Sequence, residues 1–128
     1  MRLITHNMLR CNARGVTNGY PLLIEAETVT VVESDFDAAT VRSLLKKLNF
    51  SALKAAAVNL SMAEELAAAG DEASPSEEVL ADEAFLRAAH RLLFEMHVIE
   101  GFLVCPESGR RFPVKDGIPN MLLHEDEM

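Results

Sequence analysis

The fold is decided near the C terminus, by the stretch Cys105-Pro106-Glu107-Ser108-Gly109-Arg110-Arg111-Phe112-Pro113-Val114-Lys115-Asp116-Gly117-Ile118-Pro119-Asn120-Met121-Leu122-Leu123. A zinc knuckle places two soft donors about two residues apart, because a tight turn must grip one tetrahedral ion from both sides. Cys105 stands at the first donor position, and Ser108 stands at the second, where another thiolate would be needed. The stretch therefore predicts a hairpin that keeps the shape of a zinc ribbon without a complete metal site.

Short strands flank this knuckle in the predicted hairpin. Residues 102–105 and 111–114 form its two arms, and Gly101 ends the helix that precedes them. Residues 118–123 predict a final apolar strand, in which Pro119 is tolerated because edge strands leave some N–H groups unpaired. The acidic residues 124–128 predict a solvated end.

The first part of the chain is extended in character. Residues 12–19 are rich in turn formers and end in Asn18-Gly19, a strong turn signal. Residues 20–24 and 28–32 are rich in β-branched and apolar side chains, and the segment from Met1 to about Val32 predicts two or three short strands. If both chain ends build one β-module, the turn that carries Cys11 lies beside the Cys105 knuckle.

Helical patterns fill the middle of the chain. Ser34 and Ser51 are candidate helix caps, and apolar residues recur at helical spacing from Phe85 to Met96. Residues 67–78 are small, acidic and interrupted by glycine and proline, which predicts a flexible loop. The expected fold class is α+β: a zinc-ribbon-like β-module of residues 1–33 and 98–128, with a helical domain of residues 34–97 inserted into it.

Composition narrows the function classes. The chain has 128 residues and a net charge of −8, with one tyrosine and no tryptophan, whereas a free-standing nucleic-acid binder needs a basic face with stacking aromatics. It also lacks a glycine-rich phosphate loop and a nucleophile motif, which argues against an enzyme. No apolar run approaches the roughly 20 residues that span a bilayer, and the start lacks a signal-peptide pattern, so we expect a cytoplasmic and nuclear protein.

A family resemblance covers essentially the whole chain. The matching segments are Thr5-His6-Asn7-Met8-Leu9, Arg14-Gly15-Val16, Phe85-Leu86 with Leu92-Leu93, Val98-Ile99-Glu100-Gly101, the Cys105 knuckle and Gly117-Ile118-Pro119-Asn120-Met121-Leu122-Leu123. Together they resemble the eukaryotic multifunctional methyltransferase activators, small subunits shared by several S-adenosylmethionine-dependent methyltransferases of the translation machinery.

The resemblance implies a ribbon-like module made from both termini. Some members of that family bind zinc through four cysteines, two in the N-terminal turn and two in the C-terminal knuckle. Cys11 and Cys105 match one cysteine of each pair, while Val16 and Ser108 occupy the other two positions. A site with two thiolates is an incomplete zinc site, so we expect this chain to bind neither zinc nor another cofactor.

The resemblance also implies a non-catalytic function. Family members bind class I methyltransferases as 1:1 heterodimers, keep them soluble and stabilise the state that binds S-adenosylmethionine. The partners methylate the translation termination factor, tRNA and small-subunit rRNA. The residues assigned to the partner-binding surface are Thr5, Asn7, Met8, Phe112, Ile118, Pro119, Asn120, Met121 and Leu122.

Other interpretations stay open at this point. The apolar residues 118–123 fit a buried core strand as well as a docking edge. Cys11 and Cys105 fit two packed thiols, or a mixed zinc site with His6 or His97, and the absence of a Cys-x-x-Cys motif argues against redox chemistry. A stand-alone ribbon-type module that binds nucleic acid or protein is the alternative function.

Overall fold

The computed structural model describes residues 1–70 and 74–128. A four-stranded antiparallel sheet, ordered β1-β2-β3-β4, forms one side of the molecule. Its strands are β1 (Leu23–Val31), β2 (Met96–Val104), β3 (Arg111–Lys115) and β4 (Ile118–Pro119). Helices connect β1 to β2, so the predicted α+β class is confirmed.

The helices between β1 and β2 are short. Their bounds are α2 (Ala38–Lys47), α3 (Phe50–Asn59), a 3-10 helix (Ala63–Ala69), α4 (Glu77–Leu80), α5 (Glu83–His90) and one π-helical turn (Arg91–Glu95). A single helical turn, α1 (Leu3–His6), precedes them, and a 3-10 turn (Glu125–Glu127) follows β4. None of the helices in this described part of the chain is long and apolar enough to cross a membrane.

The register explains how the core forms. Ile24 of β1 lies opposite Leu103 of β2, and Leu103 lies opposite Phe112 of β3. These three side chains are buried and belong to one apolar cluster that also contains Leu45 and Leu53 of the helices. Sheet and helices therefore share a core, and the predicted division into two domains stays a prediction.

The N-terminal residues extend the sheet beside β2. Arg2 forms a bridge with His97, and the Val98 amide donates to the Met1 carbonyl over 2.8 Å. The Gly117 amide donates to the Ile99 carbonyl over 2.9 Å on the same side of β2. The turn before β4 and the N-terminal segment are thus neighbours along one strand.

Several predicted boundaries are wrong. The two strands expected at residues 20–24 and 28–32 are one strand, Leu23–Val31, with register shifts around Thr28. The expected final strand over residues 118–123 is paired only at Ile118–Pro119. It stops because the Asn120 side chain captures the Leu122 amide over 3.0 Å and turns the chain.

Gly101 lies inside β2, although the sequence predicts that it breaks a helix. The strand begins five residues earlier, at Met96. A β-carbon at position 101 would collide with the carbonyl oxygen of Glu25 on β1, so the glycine permits a close approach of two strands.

The loop predicted at residues 67–78 is helical at both ends. The 3-10 helix continues to Ala69, and α4 begins at Glu77, where the Ser76 hydroxyl accepts from the Val79 amide over 3.3 Å. Residues 71–73 of the predicted loop lie outside the described residues.

Candidate partner-binding edge and thiol pair

The C-terminal edge of the sheet exposes apolar side chains. β4 is the outermost strand next to β3, and Ile118 on it is 68% exposed. Leu122, in the segment that follows, is 80% exposed. Met121 and Leu123 instead pack against the core, so the segment has an anchored side and an apolar outer side.

Hydrogen bonds hold this edge against the sheet beyond the last strand pair. The Asn120 amide donates to the Pro113 carbonyl over 2.9 Å, which prolongs the contact with β3. Arg110 donates through Nε to Glu127 Oε2 over 2.6 Å and through Nη2 to Glu127 Oε1 over 3.3 Å. The tail is therefore folded back onto the knuckle, although the sequence predicts a solvated end.

Met8 is the exposed member of the N-terminal set. It is 74% exposed and borders an apolar hollow of about 400 Å³ whose lining includes Ile4, Tyr20, Leu44 and Leu48. Thr5 is half-buried in α1.

Asn7 connects separate parts of the chain through hydrogen bonds. Its side chain donates to the Asn49 carbonyl over 2.8 Å and accepts from the Asn49 amide over 3.0 Å. Its own carbonyl accepts from the Tyr20 hydroxyl over 2.6 Å. These bonds join α1 to the junction of α2 and α3, and they leave the Asn7 side chain buried.

Phe112 lies inside the core. The sequence assigns it to the partner surface, but its side chain is 1% exposed, because position 112 faces Leu103 across the sheet. The Arg110 guanidinium covers its ring at 4.7 Å from the centroid. Phe112 therefore packs in the core beneath the sheet edge, and its side chain has no accessible surface for a partner contact.

The structure brings Cys11 and Cys105 together. Both are buried in the same apolar cluster, and they are close enough that each thiol affects the pKa of the other. Burial raises the pKa of Cys11. Burial would also raise the pKa of Cys105, but bonds from the Ser108 hydroxyl and amide outweigh it and lower that pKa.

A carboxylate fastens the two turns that carry these thiols. Glu107 accepts from the Thr17 amide over 2.9 Å, from the Thr17 hydroxyl over 2.8 Å and from the Asn18 amide over 3.2 Å. These donors hold the pKa of Glu107 below its usual range. The N-terminal turn thus lies against the knuckle.

A family model described as Trm112p-like protein matches residues 2–117. The chain belongs to the Trm112p-like family. It is 52% identical over the full length of both chains to multifunctional methyltransferase subunit TRM112 homolog A of Arabidopsis thaliana. It is 43% identical to the TRM112-like protein of Mus musculus, covering 99% of this chain and 98% of that one.

A solved structure shares the fold. It is the E. cuniculi Mtq2–Trm112 complex responsible for the methylation of the eRF1 translation termination factor. The match has a TM-score of 0.60 and 18% identity, and it covers 95% of each chain. At this identity the likeness concerns the fold of the Trm112p-like chain.

The donor set of this Trm112p-like chain does not fit a tetrahedral zinc ion. Of the four positions implied by resemblance, Val16 has no donor atom and Ser108 offers a neutral hydroxyl. Within residues 1–70 and 74–128, no three His, Cys, Asp or Glu side chains cluster as a metal site would require. His6 and His97 bond the backbone carbonyls of Leu22 and Phe94 instead.

A serine, a histidine and a glutamate also meet, at Ser34, His90 and Glu95. Ser34 Oγ lies 3.0 Å from His90 Nε2, and Glu95 Oε2 lies 3.6 Å from the same nitrogen. His90 Nδ1 is buried and has no bond within the part that the structure describes. A catalytic triad needs its acid and its nucleophile on opposite ring nitrogens, so this cluster does not have triad geometry.

Sequence reasoning missed Arg110 and Glu127 as parts of the site. Each is ordinary in the sequence, because an arginine in a knuckle and a glutamate in an acidic tail carry no pairing signal. Their relation becomes visible only when the turn at Asn120 and Leu122 brings the tail back along β3.

Proposed function

We propose that this chain is a non-catalytic subunit that binds, stabilises and activates S-adenosylmethionine-dependent methyltransferases as a 1:1 heterodimer. The observation that carries the proposal is the exposed apolar edge at Ile118 and Leu122, held in place by Asn120 and by the Arg110–Glu127 pair. An exposed apolar strand edge is a liability for a protein on its own, and pairing with a partner removes it.

The proposed contact is β-augmentation. An extended segment of the partner lies along β4 and residues 120–122, with main-chain hydrogen bonds supplying affinity and the exposed side chains entering pockets. In this proposal exposed Met8, with the hollow it borders, adds a second contact, and half-buried Thr5 and Pro119 contribute their accessible parts. An interface of this type buries roughly 800 Å² per partner.

Activation follows from mass action. A methyltransferase that exposes a matching apolar edge when alone is stabilised in its folded, cofactor-binding state by any subunit that binds only that state. In this proposal the partner binds S-adenosylmethionine, and this chain holds neither that cofactor nor zinc. The two thiols fill the space between the N-terminal turn and the Cys105 knuckle as small apolar groups.

The proposed substrates are those of the partners: the translation termination factor, tRNA and small-subunit rRNA. The naming of the relatives as methyltransferase subunits supports the partner class, and the E. cuniculi complex supports the termination factor. The proposed locations are the cytoplasm and the nucleus, where these substrates are made and used.

The knuckle arginines do not favour a nucleic-acid-binding module. Arg110 pairs with Glu127, and Arg111 donates to Glu25 over 2.8 Å. Phosphate would have to displace these carboxylates, in a chain whose net charge is −8.

Co-expression with class I methyltransferases tests the proposal. We expect a 1:1 complex by native mass spectrometry and a gain of partner solubility and S-adenosylmethionine binding. Ile118→Asp combined with Leu122→Asp should abolish both gains, because two carboxylates would be buried in the interface. Both positions are exposed, so the free subunit should stay folded.

Val58→Asp is the matched control. Val58 is 61% exposed on α3, so the substitution makes the same kind of change on another surface. It should leave the complex intact. The proposal fails if no methyltransferase gains solubility or cofactor binding, or if Val58→Asp and the edge variant weaken binding equally.

A further inference from the structure

Cys11 and Cys105 are the only two cysteines of the chain, and they meet although roughly 90 residues separate them. Because the donor set does not fit zinc, the pair needs another chemical description.

The backbone holds both sulfurs in place. The Cys11 amide donates to the Gly19 carbonyl over 2.9 Å, and the Cys105 amide donates to the Arg110 carbonyl over 2.9 Å. Each cysteine is therefore fixed at the start of a closed turn. The three bonds that Glu107 accepts from Thr17 and Asn18 then tie one turn to the other.

The surroundings of the two sulfurs differ. The Ser108 amide donates to Cys105 Sγ over 3.3 Å, and this bond stabilises the thiolate, which is the nucleophilic form. At Cys11, hydrogen bonds from the Ala13 backbone and from Ser108 act in the same sense, but burial outweighs them and raises the pKa, so this sulfur stays a thiol. The two sulfurs therefore differ in the balance between burial and hydrogen bonds, which suits a pair in which one sulfur attacks an oxidant and the other resolves the product.

The thiols are buried but close to exposed chain. The knuckle residues Pro106, Glu107, Ser108 and Gly109 follow Cys105 directly and are all exposed. A small oxidant such as hydrogen peroxide needs only a local opening of this turn. A larger disulfide oxidant would need a wider one.

We infer that Cys11 and Cys105 form a reversible intramolecular disulfide when the protein meets a hydroperoxide. The Cys105 thiolate attacks one peroxide oxygen, the O–O bond breaks, and a sulfenic acid and water result after proton uptake. The Cys11 sulfur then attacks the Cys105 sulfur, the S–O bond breaks, and a second water leaves with the thiol proton. The two sulfurs lose two electrons in total, and the peroxide gains them.

The bond would lock the two turns that flank the C-terminal edge. Reduction by a dithiol reverses it, with the dithiol supplying the two electrons and two protons. This inference stands apart from the proposed function, because it concerns the free chain and needs no partner.

The test uses the full chain treated with hydrogen peroxide. We expect the intact mass to fall by two hydrogen atoms, a peptide that links the Cys11 and Cys105 segments, and restoration by dithiothreitol. The midpoint of thermal unfolding should rise by roughly 10 °C, because a long loop of the unfolded chain is closed. A mass that only gains oxygen atoms, or an unchanged mass, would overturn the inference.

Single variants assign the roles and exclude links between molecules. With peroxide and dimedone, Cys11→Ser should be labelled at Cys105, whereas Cys105→Ser should be labelled roughly tenfold more slowly at Cys11. Wild-type protein should stay monomeric on a non-reducing gel. Covalent dimers in place of the internal link would contradict the inference.

Discussion

Arg110 grips the carboxylate of Glu127 with two nitrogen atoms, Nε at 2.6 Å and Nη2 at 3.3 Å, and thereby fastens the acidic tail to the knuckle. The pair is partly buried, and the bond from Arg110 lowers the pKa of Glu127. Glu127 Oε1 also accepts from the His124 amide over 3.0 Å. This fork is therefore one of the contacts that hold the chain after the proposed docking edge, together with the turn at Asn120.

Glu127→Gln should loosen this tail. The neutral amide loses the charge-assisted fork to Arg110, so the amides of residues 122–127 should exchange hydrogen several-fold faster. Partner affinity should fall several-fold, because a mobile edge must be ordered on binding. Hydrogen-exchange mass spectrometry and titration of the partner give the two values.

Glu125→Gln is the control for this change. Glu125 lies in the same 3-10 turn and is exposed, and the substitution removes the same charge. It should leave exchange and affinity unchanged. Equal effects of the two substitutions would mean that tail charge, and not the fork to Arg110, matters.

His6 predicts a specific pH dependence of stability. Its ring is buried, Nε2 lies 2.7 Å from the Leu22 carbonyl, and burial lowers the pKa of His6 more than this bond raises it. As the pH falls below about 6.5, His6 binds a proton in the unfolded chain before it does so in the folded chain. The free energy of unfolding therefore decreases as the pH falls from about 6.5 toward the lower pKa of His6 in the folded chain.

The loss should reach at most about 1.4 kcal/mol for each pH unit in that window. Urea unfolding between about pH 7.5 and about pH 5.5 measures it. His6→Gln retains a donor for Leu22 and should flatten the pH profile, whereas the exposed His124→Gln should follow the wild type. A wild-type profile no steeper than that of His6→Gln would contradict the assignment.

Gly101→Ala should destabilise the sheet strongly. A β-carbon at this position collides with the Glu25 carbonyl, and the backbone φ of 153° also disfavours alanine. We expect a loss of at least about 3 kcal/mol in the free energy of unfolding. Gly109→Ala is the comparison: its φ is 76°, but no atom lies within 4 Å of the added carbon.

Gly109→Ala should therefore cost only the backbone term, about 1–2 kcal/mol. Chemical denaturation gives the free energy of unfolding of each variant, and the difference between the two losses is the cost of the collision beyond backbone strain. If the two losses are equal, the close approach of β1 and β2 at Gly101 does not limit the packing of the sheet.

The spacing of apolar residues in the sequence predicted which side chains of a strand or helix are buried. Phe112 and Val114 are both buried in β3, as their spacing of two suggests, and Val41 and Leu45 are both buried in α2. The helix caps were less predictable. Asp37 and Asn49 cap α2 and α3, not Ser34 and Ser51, because any of these side chains is chemically able to do so.

Long-range relations carried no local signal. The apolar spacing from Phe85 continues past His90 into β2, so helix and strand look alike at Met96 until β1 pairs with it. The contact of Cys11 with Cys105 and the fork from Arg110 to Glu127 likewise depend on how the sheet closes. The resemblance gave the family, but it did not separate buried Phe112 from exposed Ile118.

Asn7 and Met8 are adjacent, but Asn7 is buried and hydrogen-bonded whereas Met8 is exposed. Asn7→Ala removes two bonds to Asn49 and should lower the free energy of unfolding by about 1–3 kcal/mol, while the folded fraction binds partner normally. Met8→Ala should change stability by no more than about 0.5 kcal/mol, since the side chain is exposed.

Met8→Ala should instead weaken partner binding about tenfold, the loss typical of an apolar anchor at an interface. Denaturation of the free subunit and calorimetric titration of the methyltransferase measure the two effects on the same samples. If Asn7→Ala weakens binding beyond its unfolded fraction while Met8→Ala does not, the partner contacts the Asn7–Asn49 side of the hollow and not Met8. The proposed docking surface would then be centred on Asn49 and would exclude Met8.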